Sequence, residues 1–143
     1  SLQVRAAYTW SHFRFTEDVR GGGVGGPNVL IAAEGNTVAG APEHNLAGEL
    51  RYDHPRGWWL APNMEWVMTG IYTDYLNTVK APAYFIVNFR SGWNVTKNLT
   101  FYAEGRNLTD KTYAGAVIVN DSLRRFANPG QGISAFAGVE YRF

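Results

Sequence analysis

From Ile133 to Phe143 every second residue is apolar: Ile133, Ala135, Ala137, Val139, Tyr141 and Phe143, with Ser134, Phe136, Gly138, Glu140 and Arg142 between them. A strand sends successive side chains to opposite faces, so this is strand alternation with an apolar face running to the last residue. Termini usually fray in water and carry little apolar cargo. Something must cover this face, and something must hold its end.

The same pattern recurs in five upstream segments. Leu2 to about Phe15 sets Leu2, Val4, Ala6, Tyr8 and Trp10 against Gln3, Arg5, Thr9 and Ser11. Asn45 to His54 sets Leu46, Leu50 and Tyr52 against Asn45, Glu49, Arg51 and Asp53. Trp58 to Thr69 sets Trp58, Leu60, Met64, Trp66 and Met68 against Asn63 and Glu65. Tyr84 to Val95 sets Phe85, Val87, Phe89 and Trp93 against Asn88, Arg90 and Asn94. Leu99 to Arg106 sets Leu99, Phe101 and Ala103 against Thr100, Glu104 and Arg106. Pro62 cannot donate to a ladder and predicts a bulge in the third segment.

The connections alternate in length. "PRG" and "TKN" fit three-residue hairpin loops with a left-handed third residue, Gly57 and Asn98. The remaining connections, 16–44 with its "GGGVGG", 70–83 and 107–130, are long. Short and long in turn describe an up-and-down meander with its elaboration at one end. If "TKN" is a three-residue loop, counting back places Arg90 directly opposite Glu104 as a cross-strand pair of opposite charge.

Two all-β architectures accommodate this pattern. A soluble barrel or sandwich turns its apolar face inward, whereas a transmembrane barrel turns it to lipid and its polar face to the lumen. Aromatics make up 15% of the chain and charged residues 17%, against ~25% charged in an average protein. Tyr52, Trp58, Trp93, Tyr141 and Phe143 all fall at the short-turn end of their strands. Amphipathic rings gather in this way at a membrane interface, which favours the transmembrane barrel. No apolar run approaches the ~20 residues of a membrane helix. A net charge of +1 without a Lys/Arg cluster argues against nucleic acid as a partner, and without cysteine there is no disulfide framework or thiol nucleophile. The opening "LQVRAAYTW" alternates like the middle of a strand, and the 143 residues are expected to be cut from a longer protein.

The stretch "EGRNLTDKTYAGAVIVN", with "NTVKAPAYFIVNFRSGWNV" before it and "GVEYRF" at the end, resembles the C-terminal part of TonB-dependent outer-membrane receptors. The family motif falls on Asn107, Leu108, Thr109, Asp110, Lys111 and Tyr113. The ending, with Gly138, Tyr141 and Phe143, is similar to the signal by which outer-membrane barrels are inserted; Phe136 departs from the polar residue often found two before the glycine. The resemblance covers essentially residues 1–143. It implies about six strands of a larger antiparallel up-and-down barrel, without the N-terminal plug or the earlier strands. It also implies energy-dependent uptake of a scarce ligand, an iron–siderophore or other metal chelate, across the outer membrane of a Gram-negative bacterium. The implied partners are outer-membrane lipid, the plug and remaining barrel, the TonB protein acting through the missing N-terminal part, and the small-molecule ligand. No cofactor or resident metal is expected.

Candidate ligand contacts are Tyr72, Asp74, Tyr75 and Asn77 in the loop "GIYTDYLNTVKAP", and Arg124 and Arg125 in "SLRRF". Rings and polar groups at a barrel mouth suit a metal chelate, and arginines suit an anionic one. The ordinary alternative is a packed rim with solvated arginines. The lumen-side charges, Arg5, Glu49, Arg51, Glu65, Arg90, Glu104 and Arg106, read first as ion pairs across strands or against the plug. His12 and His44 are placed at one end and His54 at the other, with no metal-ligand spacing. No nucleophile, histidine and carboxylate set points to catalysis. A soluble β-sandwich or lectin-like binding module, or an outer-membrane barrel enzyme, is the alternative reading.

Overall fold

The computed structural model describes residues 1–23, 26–119 and 126–143. Its strands are β1 (Leu2–Trp10), β2 (Val19–Gly23), β3 (Gly26–Ala32), β4 (His44–Asp53), β5 (Trp58–Val67), β6 (Ile71–Tyr72), β7 (Lys80–Ala81), β8 (Tyr84–Asn94), β9 (Leu99–Arg106), β10 (Ala114–Val117), β11 (Ala127–Pro129) and β12 (Ser134–Tyr141). Six of them form one sheet in the order β1-β4-β5-β8-β9-β12, so each long strand lies beside the next in sequence. Every pairing in it is antiparallel. This is the expected meander.

Each long connection carries a small two-stranded ribbon that the sequence did not reveal: β2–β3, β6–β7 and β10–β11. Of the "GGGVGG" glycines, Gly21, Gly22, Gly23 and Gly26 belong to the first, where Gly23 faces Gly26. The first long strand also stops at Trp10 instead of Phe15. Its partner begins only at His44, and Pro42, which has no N–H, precedes it. One further bond, from Ser11 N–H to Glu43 O at 2.9 Å, ends the pairing with this strand; beyond it Arg14 faces Thr37 in an isolated bridge and Phe13 O accepts the Val38 N–H at 3.0 Å.

Register explains why alternation was so informative. Successive pairs place Val4 beside Leu50, Gly48 beside Met64, Trp66 beside Phe85, Phe89 beside Gly105, and Phe101 beside Val139. One face is therefore apolar across all six strands. It is also open: Val4, Tyr8, Trp10, Trp66, Phe85, Trp93, Phe101 and Val139 are all exposed. Among the described residues no second sheet covers it. A sandwich would bury this face.

Pro62 makes no bulge. Asn45–Glu49 and Tyr52–Asp53 share one unshifted register with β5, and Pro62 faces Phe89 in step on the other side. The ladder pairs are missing only opposite Leu50 and Arg51. A lost N–H removes local bonding but does not demand an extra residue.

The short turns differ in mechanism. In "PRG", Gly57 has φ 86°, and a Cβ there would lie 2.7 Å from the Asn94 carbonyl oxygen. In "TKN", Asn98 is not left-handed, contrary to expectation. The Thr96 hydroxyl instead accepts the N–H groups of Asn98 at 3.2 Å and Leu99 at 3.0 Å, holding the bend without positive φ.

The aromatic girdle at the short-turn end is present. Trp58 faces Trp93, which faces Phe101, and the Tyr52 and Trp58 rings lie 5.5 Å apart. A second band, with Tyr8, Trp10, Trp66 and Phe85, occupies the opposite end. Trp58 and Trp66 are separated by ~27 Å along the strand at ~3.4 Å per residue. At a tilt of ~35–45° that spans roughly 19–22 Å, near the ~25 Å apolar band of a membrane barrel. The buried cluster is small and lies above the second band, where Val67, Ile71 and Ala81 pack with Tyr84, Ala114 and Val117.

Candidate functional site

The polar face carries arginines that find carboxylate partners within the same sheet. Glu49 lies between Arg5, at 3.5 Å, and Arg90, with which it forms a close ion pair. Arg51 binds Asp53 at 2.8 Å, Arg106 binds Glu104 at 2.7 Å, and Arg142 binds Glu140 at 2.7 Å. Arg90 does stand opposite Glu104 in the ladder, as counted from the "TKN" turn. Its guanidinium nevertheless reaches past β5 to Glu49, because Arg106, two residues along on the same face, already holds Glu104. The register holds and the pairing does not.

Farther toward the long loops the face is held by hydrogen bonds. Asn88 donates to Asn63 Oδ1 at 3.0 Å and accepts the Asn107 N–H at 2.8 Å, while Tyr84 donates to Glu65 at 2.9 Å. Toward the short turns, rings lie across glycines. A Cβ on Gly92 would meet the Trp59 indole at 2.6 Å, and one on Gly138 would meet the Tyr102 hydroxyl at 2.3 Å. These are cross-strand neighbours, Trp59 with Gly92 and Tyr102 with Gly138. Gly138 is thus the seat for a ring on the polar face. Tyr141 and Phe143 are exposed and meet edge-on at 5.3 Å. The end of the chain is held by Asn98, whose backbone O accepts the Arg142 N–H at 2.8 Å and whose Nδ2 donates to Arg142 O at 2.5 Å.

At the rim, two of the sequence-identified polar groups are engaged within the loops. The Asp74 carboxylate accepts the N–H groups of Thr78 at 3.0 Å and Val79 at 2.8 Å, and the Thr78 hydroxyl at 2.9 Å. Partial burial pushes its carboxyl up, but the backbone donors of Thr78, Val79 and Leu76 outweigh that and hold it below the usual 3.8. Asn77, at φ 58°, binds Thr37 in both directions: its Oδ1 accepts the Thr37 N–H at 2.7 Å and its Nδ2 donates to Thr37 O at 2.9 Å. Tyr75 meets Phe15 edge-on at 5.4 Å, and its carbonyl accepts Asn36 Nδ2 at 3.0 Å. Tyr72 accepts the Gly40 N–H at its carbonyl, 2.9 Å away, and its ring lies beneath Lys80 Nζ at 4.7 Å. The loops at 16–44 and 70–83 are therefore bonded into one rim. Arg124 and Arg125 lie outside the described residues.

The motif at 107–113 ties the last long loop shut. Asn107 is 2% exposed, and its amide donates to Lys111 O at 2.8 Å and to Gln131 O at 3.0 Å while its Oδ1 accepts the Lys111 N–H at 2.9 Å. Leu108 N–H bonds Val87 O at 2.8 Å, and Asp110 Oδ1 accepts the Ile133 N–H at 3.4 Å. Tyr113 packs on Tyr84 with centroids 4.6 Å apart and accepts the Gly130 N–H at 2.8 Å. Thr109 is exposed within the turn. Sequence reasoning found these residues only through the resemblance; the hub role of Asn107 rests on Gln131, 24 residues away, which local spacing cannot signal.

The histidines fall at the expected ends. His12 Nδ1 lies 2.7 Å from Glu43, His44 Nδ1 lies 2.7 Å from the Tyr8 hydroxyl, and His54 stacks on Trp58 at 4.3 Å. Among the described residues no three metal-ligating side chains gather.

Comparison with solved structures finds the siderophore receptor PiuA from Acinetobacter baumannii, with a TM-score of 0.82 and 21% identity. The match covers 98% of this chain and 19% of that one, so the chain spans about a fifth of the receptor it resembles in fold. The family model described as "TonB dependent receptor-like, beta-barrel" matches residues 1–108. An all-β meander, one open apolar face and one ion-paired polar face are thus the barrel wall of that family, and the chain belongs to the TonB-dependent receptor-like β-barrel family.

Proposed function

We propose that this chain forms the closing strands of an outer-membrane receptor that takes up a scarce ligand, an iron–siderophore or related metal chelate. The observation that carries the reading is the sheet itself. One face is apolar and open across six strands, while the other pairs its own charges. Such a wall suits lipid outside and water or a plug inside. In this reading the short turns face the periplasm and the three long loops face outward. Asp74 and Asn77 shape the rim, while Tyr72, Tyr75, Arg124 and Arg125 contribute the ligand contacts. Gly138, Tyr141 and Phe143 serve as the insertion signal, and the missing N-terminal part supplies the plug and the contact with TonB.

Spin labels in the intact receptor test the facing. Labels at Trp10, Trp66, Phe89 and Val139 are expected to be quenched by a lipid-soluble relaxing agent, and labels at Arg5, Glu49, Arg90 and Glu104 by a water-soluble one. Equal lipid exposure at Arg90 and Phe89 would overturn the reading. Binding of a ferric chelate over its iron-free form, measured on the same receptor, tests the ligand class.

A further inference from the structure

The apolar face is not uniform. Between β5 and β12 it sinks into a groove of about 660 Å³ with Ser91, Ala103 and Ala137 in a row along its floor. Its short-turn end is walled by Trp58, Trp93 and Phe101, which stand opposite one another in the ladder. The two hairpin turns beside this end each carry one cation, Arg56 in "PRG" and Lys97 in "TKN".

These two cations differ from those of the strands. All five arginines of the polar face named above hold a carboxylate partner. Among the described residues Arg56 and Lys97 have none, and both are exposed. Arg56 lies two residues before Trp58 and Lys97 four after Trp93, which is headgroup depth if the tryptophans mark the interface. An apolar groove with interfacial rings at its mouth and two unpaired cations just beyond offers one chemistry. It matches an acyl chain below an anionic headgroup.

We propose that this groove is a site for one anionic glycerophospholipid of the periplasmic leaflet, its chain over Ser91, Ala103 and Ala137 and its phosphate between Arg56 and Lys97. The proposal rests on the membrane reading given above. A Lys or Arg near a membrane surface favours anionic lipid by roughly fivefold, so the pair gives a preference of about 30-fold.

Native mass spectrometry of the intact receptor, released from detergent after equilibration with equal phosphatidylglycerol and phosphatidylethanolamine, tests it. One retained phosphatidylglycerol is expected in the unaltered protein. The double variant Arg56→Gln/Lys97→Gln should reduce its preference at least tenfold. Ala103→Leu, which fills the floor, should lower retention of both lipids; heat-modifiable mobility verifies that each variant is folded. Equal retention of the two lipids by a folded, detergent-dependent receptor, or unchanged retention in the double variant, would overturn the site alone. A receptor soluble and monodisperse without detergent would overturn the membrane reading and the site with it.

Discussion

Replacing Asn107 with alanine should open the last long loop without disturbing the barrel wall. The side chain makes three hydrogen bonds, to Lys111 O, Gln131 O and the Lys111 N–H, at 2.8, 3.0 and 2.9 Å. A net ~0.5–1.5 kcal/mol per bond gives a loss of roughly 2–4 kcal/mol, because the partners are left beside a buried position. The residue also sits at φ 48°, where asparagine is tolerated and alanine costs ~1 kcal/mol more. Asn107→Gly removes that backbone cost but not the lost bonds, so it should fall between wild type and alanine. Asn107→Asp keeps the acceptor but aims a carboxylate oxygen at two carbonyls, and should do no better than alanine. Hydrogen exchange on the intact receptor reads the effect directly. Protection of the Lys111 and Gly130 amides should fall by roughly 30- to 1,000-fold, the exchange equivalent of 2–4 kcal/mol of local opening. The Phe101–Val139 ladder should keep its protection. Unchanged exchange across 108–131 in the alanine variant would show that the loop is held by other contacts, and the hub role would be lost.

Gly138→Ala should reduce the folded fraction, because the new methyl would meet the Tyr102 hydroxyl; Tyr102→Ala in the same protein should restore it. Heat-modifiable mobility measures both, and failure of the second change to restore folding would exclude the steric explanation. The Asp74 contacts should depend on pH. Its carboxyl is held below the usual 3.8, so the stabilisation is present above that value and is lost as pH falls through the lower folded-state pKa. Exchange of the Thr78 and Val79 amides, corrected for intrinsic rate, should rise in acid and already be raised at neutral pH in Asp74→Asn; equal protection at about pH 3 and pH 6 would contradict this.

The six long strands were legible because alternation and tight turns are local signals. Their ends were not, because a strand ends where its partner does. The chain at 11–15 still alternates, yet β4 begins only at His44, and beyond it the chain meets residues 35–38 of the first long loop through the single bridge Arg14–Thr37. Pro62 misled for a related reason: the missing N–H is a property of one residue, while a bulge is a property of two strands. Two of the three ribbons escaped notice since two-, three- and four-residue strands are too short to show a period, and the β2–β3 ribbon since its pairing shifts register twice in a glycine-rich stretch. The rim was readable as residue types but not as contacts. Asn77 meets Thr37 across 40 positions of sequence, and neither residue carries any mark of the other.

The polar face shows why its charges were a poor guide to ligand chemistry. A charge selects a ligand only if it lacks a partner of its own, since displacing an existing ion pair offsets what the new contact contributes. Glu49 is shared by Arg5 and Arg90, Arg51 and Arg106 each hold a carboxylate two residues away in their own strand, and Arg142, just past the end of β12, holds Glu140. The two-residue spacing follows from strand geometry, because side chains at i and i+2 share a face. Alternation that turns the apolar residues outward therefore also lines up Arg51 with Asp53, Glu104 with Arg106, and Glu140 with Arg142. One sequence rule produces both the open apolar face and a self-neutralised wall behind it. In the function proposed above, discrimination between ligands would then fall to the long loops, whose rings and polar groups are set by contacts between distant segments.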